Sequence, residues 1–355
     1  MESRGNKRGG RRRAGAVLGD EVFERRIAEL VRDWGGGESP ELVAEMIATA
    51  LRMGRDGIPA ADLKLFNRAL KELRAGSRAF APYREVRKVA VFGSARTAES
   101  AEEYVAALEF ARRMREEGFM IVTGGGDGIM GAAQKGAGRE AGFGLNIRLP
   151  FEQRANETIE GDPKLVNFNY FFTRKLTFLK EAHAVALFPG GFGTMDEGFE
   201  ALTLMQTGKS PVFPLVLVDR PGGTYWHTWH KFIGEYLLGL GLVSRDDFHL
   251  YKIAGSVEDA VREITGFYRT YHSSRWVGDR FVIRLRHALA SEAPAMLTRE
   301  FASLLRAGEI RQCEPLAEEA GEHPALSRLV FEPHRHNFGR FRLLIDRINT
   351  APLAP

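Results

Sequence analysis

Residues 184–197 read Ala184-Val185-Ala186-Leu187-Phe188-Pro189-Gly190-Gly191-Phe192-Gly193-Thr194-Met195-Asp196-Glu197. The apolar run at the start is typical of a buried parallel strand, and a helical pattern follows the glycines. Glycines let backbone N–H groups approach an anion, and we expect Thr194 to be the N-cap of the helix. The stretch therefore predicts a phosphate loop between a strand and a helix. Glu197 is either the second half of a capping box or a functional carboxylate.

A second glycine loop occurs earlier in the chain. The predicted strand 119–123 runs into Gly124-Gly125-Gly126-Asp127-Gly128-Ile129-Met130-Gly131 and then into a helix. Two such loops on parallel strands predict one ligand held between them at the carboxyl edge of a sheet. Taken alone, this loop is equally consistent with a structural role. Between the two loops in sequence, Arg174 and Lys175 form a basic pair at the start of another predicted helix.

Strand and helix patterns alternate from about residue 86 onwards. This alternation predicts an α/β fold with a doubly wound (Rossmann-like) parallel sheet. An edge strand around residues 248–253 is expected to precede a helix capped by Ser256. The predicted strands lie near residues 88–93, 119–123, 143–149, 184–188 and 212–218, and the helices near 99–117, 129–141, 174–182, 194–207 and 226–239.

The two glycine loops and the Arg174-Lys175 pair, in this order, resemble the LOG (Lonely Guy) family of nucleoside 5′-monophosphate phosphoribohydrolases, often labelled "possible lysine decarboxylase". The resemblance covers roughly residues 85–272. It implies hydrolysis of a nucleoside monophosphate, AMP-like in the first instance, to free base and ribose 5-phosphate. We expect no cofactor. It also implies a homodimer or larger homo-oligomer, with Arg174 and Glu197 as the catalytic pair. The implied substrate-binding residues are Ser94, Gly124, Gly125, Gly126, Asp127, Met130, Gly131, Phe171, Lys175, Gly190, Gly191, Gly193 and Thr194.

The chemistry implied for the catalytic pair is physically reasonable. Departure of a base leaves an oxocarbenium-like sugar, which a carboxylate stabilises while it orients or activates water. We expect Glu197 to stay ionised because the helix dipole favours its charge. Arg174 suits a phosphate or Glu197 itself, and Lys175 is the weaker phosphate candidate. The alternative is a nucleotide-binding regulatory or sensor module without catalysis.

Several positions leave two interpretations open. Phe171 stands where the family often has Met, and it either stacks on a nucleobase or belongs to the core. Thr173 replaces a residue that is often Glu in the family. Asp127 either reaches a ribose hydroxyl or is a turn residue. Asp196 is expected to have a solvated or capping role, and Glu200 to support the site.

Other enzyme classes do not fit these motifs. The segment Gly93-Ser94-Ala95-Arg96 lacks the spacing G-x-G-x-x-G, which argues against dinucleotide oxidoreduction. No G-x-x-x-x-G-K-[ST] loop occurs, and no lysine carries the signature of a pyridoxal site. The histidine pairs, such as His227 and His230, lack further ligands at a useful spacing, so we expect no metal.

Composition divides the 355-residue chain into four parts. Residues 1–17 carry six Arg or Lys and one Glu, so this tail holds +5 and leaves −1 for the rest of the net +4. We expect disorder at residues 1–18, with at most weak nucleic-acid contact. A helical extension at 19–84, the nucleotide domain at 85–272 and a small α+β unit at 273–355 follow. The single Cys313 and the lack of an apolar span or leader predict a cytoplasmic protein without membrane contact.

Overall fold

A computed structural model describes residues 20–149 and 154–355, so the basic tail lies outside the described residues. The chain forms two compact units, with the boundary between Lys71 and Glu72. Within the described ranges, no helix combines the length and apolarity needed to cross a bilayer. The predicted division into four parts stays a prediction.

The first unit contains the predicted helices. They are α1 (Glu21–Asp33), α2 (Pro40–Arg55) and the first half of α3 (Ala60–Phe80). The Asp20 carboxylate caps α1 by accepting hydrogen bonds from two backbone N–H groups. Ile27, Val31 and Ala48 form a small apolar cluster of their own. Helix α3 continues past the boundary, and its residues from Glu72 onwards belong to the second unit.

The second unit is built on a seven-stranded parallel sheet, which confirms the predicted α/β class. Its order is β4-β3-β2-β1-β5-β6-β7. The strands are β1 (Lys88–Phe92), β2 (Met120–Thr123), β3 (Gly142–Ile147), β4 (Leu165–Phe168), β5 (Ala184–Leu187), β6 (Leu215–Val218) and β7 (Lys252–Ala254). The helices are α4 (Glu102–Glu116), α5 (Ile129–Ala141), α6 (Phe171–Glu181), α7 (Phe192–Gln206), α8 (Tyr225–Phe232) and α9 (Val257–Phe267).

The strand order reverses direction between β1 and β5. The chain steps outwards from β1 to β4, then returns and steps the other way from β5 to β7. Right-handed connections place α4 and α5 on one face of the sheet, and α6 and α7 on the other. The crevice at the carboxyl ends of β1 and β5 is therefore the topological switch point, where ligands of such sheets bind.

The structure corrects some of the predicted elements. Strand β4 was not predicted, because its four residues include the polar Asn167 and give no long apolar run. Strand β6 begins only at Leu215, since Pro214 directly before it has no N–H to donate. Residues 245–250 form a 3-10 helix, and only β7 after them is a strand. Ser256 caps α9 as predicted, accepting a hydrogen bond from the N–H of Asp259.

The C-terminal part is α+β, as predicted, and shares the second unit with the parallel sheet. Its antiparallel sheet has the order β10-β11-β9-β8. These strands are β8 (Tyr271–Val277), β9 (Arg280–Leu285), β10 (Leu305–Cys313) and β11 (Ser327–Pro333), and the helices are α10 (Ala293–Glu300) and α11 (Phe338–Thr350). Phe281, Phe331 and Phe341 pack ring against ring beneath the sheet. The apolar core of this sheet is continuous with that of the parallel sheet.

Candidate active site

Three loops meet at the switch point. The N–H of Ser94, after β1, donates to the carbonyl of Pro189, after β5, at 3.1 Å. The carbonyl of Ser94 accepts from the N–H of Ile129, after β2, at 3.0 Å. Ser94 therefore ties both glycine loops together through its backbone. The prediction that the two loops face one ligand site is consistent with this arrangement.

The first glycine loop is held in shape by buried polar side chains. Thr123 Oγ1 accepts hydrogen bonds from the N–H of Gly125 and from Gln134 Nε2, both at 3.0 Å. Asn156 Nδ2 donates to the carbonyls of Gly125 and Gly126. Gly125 has a φ of +76°, a backbone conformation that glycine adopts without strain. The loop is thus fixed before any ligand binds.

The second glycine loop ends in the first turn of α7, and the expectation that Thr194 is the N-cap is wrong. Gly191 is the N-cap, and Thr194 is the third residue of the helix. The Thr194 side chain is buried under Gly190, where a Cβ would lie 2.2 Å from Thr194 Oγ1. The residues exposed at the helix start are Gly191, Phe192 and Gly193. Their N–H groups, which a helix leaves without an internal partner, therefore face solvent for an anion.

Glu197 is consequently the sixth residue of α7, too far along the helix to complete a capping box. Its Oε1 lies 3.8 Å from Arg174 Nη2 on α6, and its side chain is buried, with 3% of the residue exposed. A Cβ on Gly124 would lie 3.8 Å from Arg174 Nη1, so the guanidinium also borders the first loop. The fold thus gathers Gly124, Arg174 and Glu197 from three separate motifs.

The protonation of Glu197 differs from the expectation. Burial raises its pKa to about 7, even though Arg174 and Lys175 favour the charged form. The dipole of α7 acts mainly within its first turn, and Glu197 lies beyond that turn. Glu197 Oε2 is buried and has no hydrogen-bond partner among the residues that the structure describes. The carboxyl group therefore titrates near neutral pH, and one of its oxygens is available to a ligand.

Lys175 points toward carboxylates of α7. Its Nζ lies 2.7 Å from Asp196 Oδ2 and 2.9 Å from Glu200 Oε2. Burial lowers the Lys175 pKa, but these two carboxylates more than offset that effect and the pKa is raised. Its charge is thus already balanced, which weakens the predicted phosphate contact. Asp196 and Glu200 serve to pair with Lys175.

Phe171 is not a core residue, because half of its surface is exposed. The Arg174 guanidinium lies over its ring, 5.2 Å from the centroid. Phe171 therefore combines an open apolar ring with a position beside Arg174, as the stacking interpretation requires. Met130, whose sulfur lies 2.7 Å from the position of a Cβ on Gly124, belongs to the same group of residues.

Asp127 and Gly131 line a polar cleft of about 480 Å³ beside the first glycine loop, together with Arg96, Lys135 and Asn156. This cleft borders α4 and α5, which cover the face of the sheet opposite to α6 and α7. Asp127 is exposed, as a turn residue would be.

Two further residues hold the site and escaped the sequence prediction. Tyr225 OH, at the start of α8, donates to the carbonyl of Gly190 and so fixes the second loop. Glu72 on α3 contacts the first turn of α6 through Thr173. The departure from the LOG pattern at Thr173 was the one local signal at this turn.

Comparisons with known proteins agree with these motifs. Residues 130–264 match a family model described as "Possible lysine decarboxylase". The chain is 34% identical over 125 residues to a "Probable cytokinin riboside 5'-monophosphate phosphoribohydrolase", LOGL5, of Oryza sativa subsp. japonica, covering 34% of the chain and 49% of that protein. A second rice protein with the same description, LOG4, is 32% identical over 128 residues, covering 35% of the chain and 54% of that protein.

The chain thus spans about half the length of the curated relatives it matches. Among solved structures, the molybdenum cofactor carrier protein of Chlamydomonas reinhardtii is 23% identical, with a TM-score of 0.35 over 51% of this chain and 96% of that protein. The predicted resemblance to the LOG family is confirmed for the matched part of the chain. That part contains Arg174, Glu197 and the whole second glycine loop.

Proposed function

We propose that the protein hydrolyses the N-glycosidic bond of a nucleoside 5′-monophosphate and releases the free base and ribose 5-phosphate. The observation that carries the proposal is the environment of Glu197: its burial, its raised pKa and its position beside Arg174. This buried carboxyl group titrates near pH 7, lies 3.8 Å from an arginine, and has an oxygen without a partner among the described residues. The two rice relatives are described as enzymes of this class, which supports the same reaction.

The substrate phosphate is assigned to the start of α7. The exposed N–H groups of Gly191, Phe192 and Gly193 and the positive end of the helix dipole attract an anion there. Gly191 and Gly193 have no atom within 4 Å of a Cβ position, so the backbone is open to a bulky phosphate. Tyr225 binds the Gly190 carbonyl, which precedes these N–H groups, and so fixes the start of the loop.

With the phosphate at the start of α7, C1′ of the ribose is assigned to a position beside Glu197. As the C1′–N bond breaks, its electron pair leaves with the base and positive charge develops on the sugar ring. The ionised Glu197 stabilises that charge, and its free oxygen orients a water molecule. The water oxygen bonds to C1′ and a water proton passes to the carboxylate, from which it returns to solvent or to the departing base.

Arg174 has two tasks in this scheme. Its charge favours the ionised form of Glu197, as the direction of its effect on the Glu197 pKa shows. Its planar fork also borders the first glycine loop. The exposed ring of Phe171, which Arg174 overlies, is positioned to stack on the base.

The test is a panel of nucleoside 5′-monophosphates incubated with purified protein, with chromatography for free base and ribose 5-phosphate. We expect release of base from at least one nucleotide and a loss of at least roughly 100-fold in Glu197→Ala. The exposed Glu116, on α4, provides the control variant Glu116→Gln, which should keep full activity. Tight nucleotide binding without turnover of any base would contradict the proposal and favour a sensor module.

A further inference from the structure

The first turn of α6, which carries Arg174, is held by a carboxylate from a distant helix. Glu72 on α3 is buried, with 4% of its surface exposed. Its Oε1 accepts hydrogen bonds from the backbone N–H and the Nδ2 of Asn169, at 3.0 and 2.7 Å. Its Oε2 accepts from Thr173 Oγ1 at 2.7 Å. Glu72 therefore binds Asn169, which precedes α6, and Thr173, which lies in the first turn of α6.

This carboxylate binds groups on either side of the N-cap of α6. Tyr170, the N-cap of α6, makes no side-chain capping hydrogen bond. Burial raises the pKa of Glu72, but hydrogen bonds from Thr173, Asn169 and the Tyr170 backbone outweigh it, and the pKa is lowered. Glu72 has no salt bridge within 4 Å in the described part of the chain, so N–H and O–H donors and the helix dipole balance its charge.

The helix that carries Glu72 is packed tightly against α6. A Cβ on Gly76, one turn beyond Glu72, would lie 3.0 Å from Thr177 Cγ2 on α6. Phe80, at the end of the same helix, stacks on Phe143 of β3 at 4.2 Å between ring centroids. The second half of α3 is thus a rigid part of the sheet unit, and Glu72 cannot move without moving the start of α6.

We infer that Glu72 is a positioning residue that sets the direction of Arg174 through the first turn of α6. Thr173, which Glu72 binds, is the residue directly before Arg174. The N–H of Arg174 makes the first hydrogen bond of the helix, to the carbonyl of Tyr170 at 3.3 Å. Tilting this turn moves the guanidinium relative to Glu197, to which it is only loosely paired at 3.8 Å. The inference rests on the proposed function of the Arg174 and Glu197 pair.

The test is a double-mutant cycle of Glu72→Gln and Arg174→Ala, read by AMP hydrolysis and, independently, by AMP binding in a calorimeter. Glu72→Gln alone should lower kcat/KM roughly tenfold, because a small misplacement of a charged group beside the reacting atoms is costly. In the Arg174→Ala background it should change kcat/KM and Kd less than twofold. Equal effects of Glu72→Gln in both backgrounds would overturn the inference, since a purely structural role does not depend on Arg174.

Two further variants separate loss of the Glu72 contact from a general loss of folding. Thr173→Val removes one donor to Glu72 and keeps the shape of the side chain, and it should act in the same direction with a smaller effect. Glu85→Gln, an exposed carboxylate before β1, should leave kcat/KM and Kd unchanged. If wild-type protein binds AMP but hydrolyses no nucleotide of the panel, the proposed function fails while the binding cycle still decides the role of Glu72. A wild-type protein that neither binds nor hydrolyses any nucleotide of the panel overturns both proposals.

Discussion

Two buried glutamates in the same compact unit have pKa values that are shifted in opposite directions. Glu197, at the carboxyl edge of the parallel sheet, has its pKa raised to about 7. Glu319, which binds arginines of β9 and β11, is also buried, yet hydrogen bonds from Arg328 and Arg284 outweigh burial and lower its pKa to about 2. Burial alone therefore does not decide the charge of a carboxyl group. The number of donors that reach it does.

The geometry explains the difference. Arg284 Nε and Nη2 donate to Glu319 Oε1 at 2.9 and 2.7 Å, and Arg328 Nε donates to Oε2 at 2.8 Å. The N–H of Leu316 completes the set at 3.2 Å. Glu197 has one arginine at 3.8 Å and an oxygen with no partner in the described ranges. Glu319 is thus a completed structural contact, whereas Glu197 is left open for a ligand.

The largest expected effect concerns Glu319 and the two arginines that bind it. Glu319→Ala leaves Arg284 and Arg328 buried without their shared carboxylate, and should lower the free energy of unfolding by about 3 to 5 kcal/mol. Urea unfolding followed by circular dichroism measures it. The exposed Glu309 offers a control, since Glu309→Ala should cost less than about 0.5 kcal/mol. A Glu319→Ala loss as small as that of Glu309→Ala would show that the comparison is mistaken.

Glu197→Gln should raise the free energy of unfolding relative to wild type at high pH, whereas Glu319→Ala lowers it. A pKa raised from 4.5 to about 7 means that the folded state holds the proton more tightly than the unfolded state. That stabilisation is complete below pH 4.5 and is lost as pH rises through 7. The glutamine variant should therefore gain roughly 2 to 3 kcal/mol over wild type between pH 4.5 and pH 8.5. Unfolding free energies at both pH values test this, and a difference that does not change with pH would count against it.

The smallest effect is expected at the second glycine loop. Tyr225→Phe removes the hydrogen bond to the Gly190 carbonyl and leaves the ring in place. One such bond contributes about 1 kcal/mol, so KM should rise roughly fivefold. We expect little change in kcat, because in the proposed function the loop binds the phosphate and does not touch the reacting bond. Steady-state kinetics separate the two constants, and a fall in kcat with unchanged KM would assign Tyr225 a different role.

The sequence predicts most of the parallel sheet and the two glycine loops at its carboxyl edge. Long apolar runs such as 184–188 and the glycine loops after them are local signals, and they predict strand, turn and helix correctly. The cap of α7 was misassigned because Thr194 is a common N-cap residue, whereas Gly191 caps by backbone geometry alone.

Other features depend on contacts that no local pattern encodes. Glu72 and Asn169 are 97 positions apart, and nothing in the helical pattern of α3 marks Glu72. The raised pKa of Glu197 follows from burial, which depends on how α6 and α7 pack. The homo-oligomer, the released base, and the roles of the helical extension and the C-terminal part stay predictions.

The measurement that tests the central claim most directly is the pH dependence of kcat/KM for AMP between pH 5.5 and pH 9. If the ionised Glu197 stabilises the sugar cation, kcat/KM should rise through an apparent pKa near 7 and then level off. The residual activity of Glu197→Gln should keep only the titration of the substrate phosphate, near pH 6. A rise near pH 7 that persists in Glu197→Gln, or a flat wild-type profile, would contradict the assignment of Glu197 as the catalytic carboxylate.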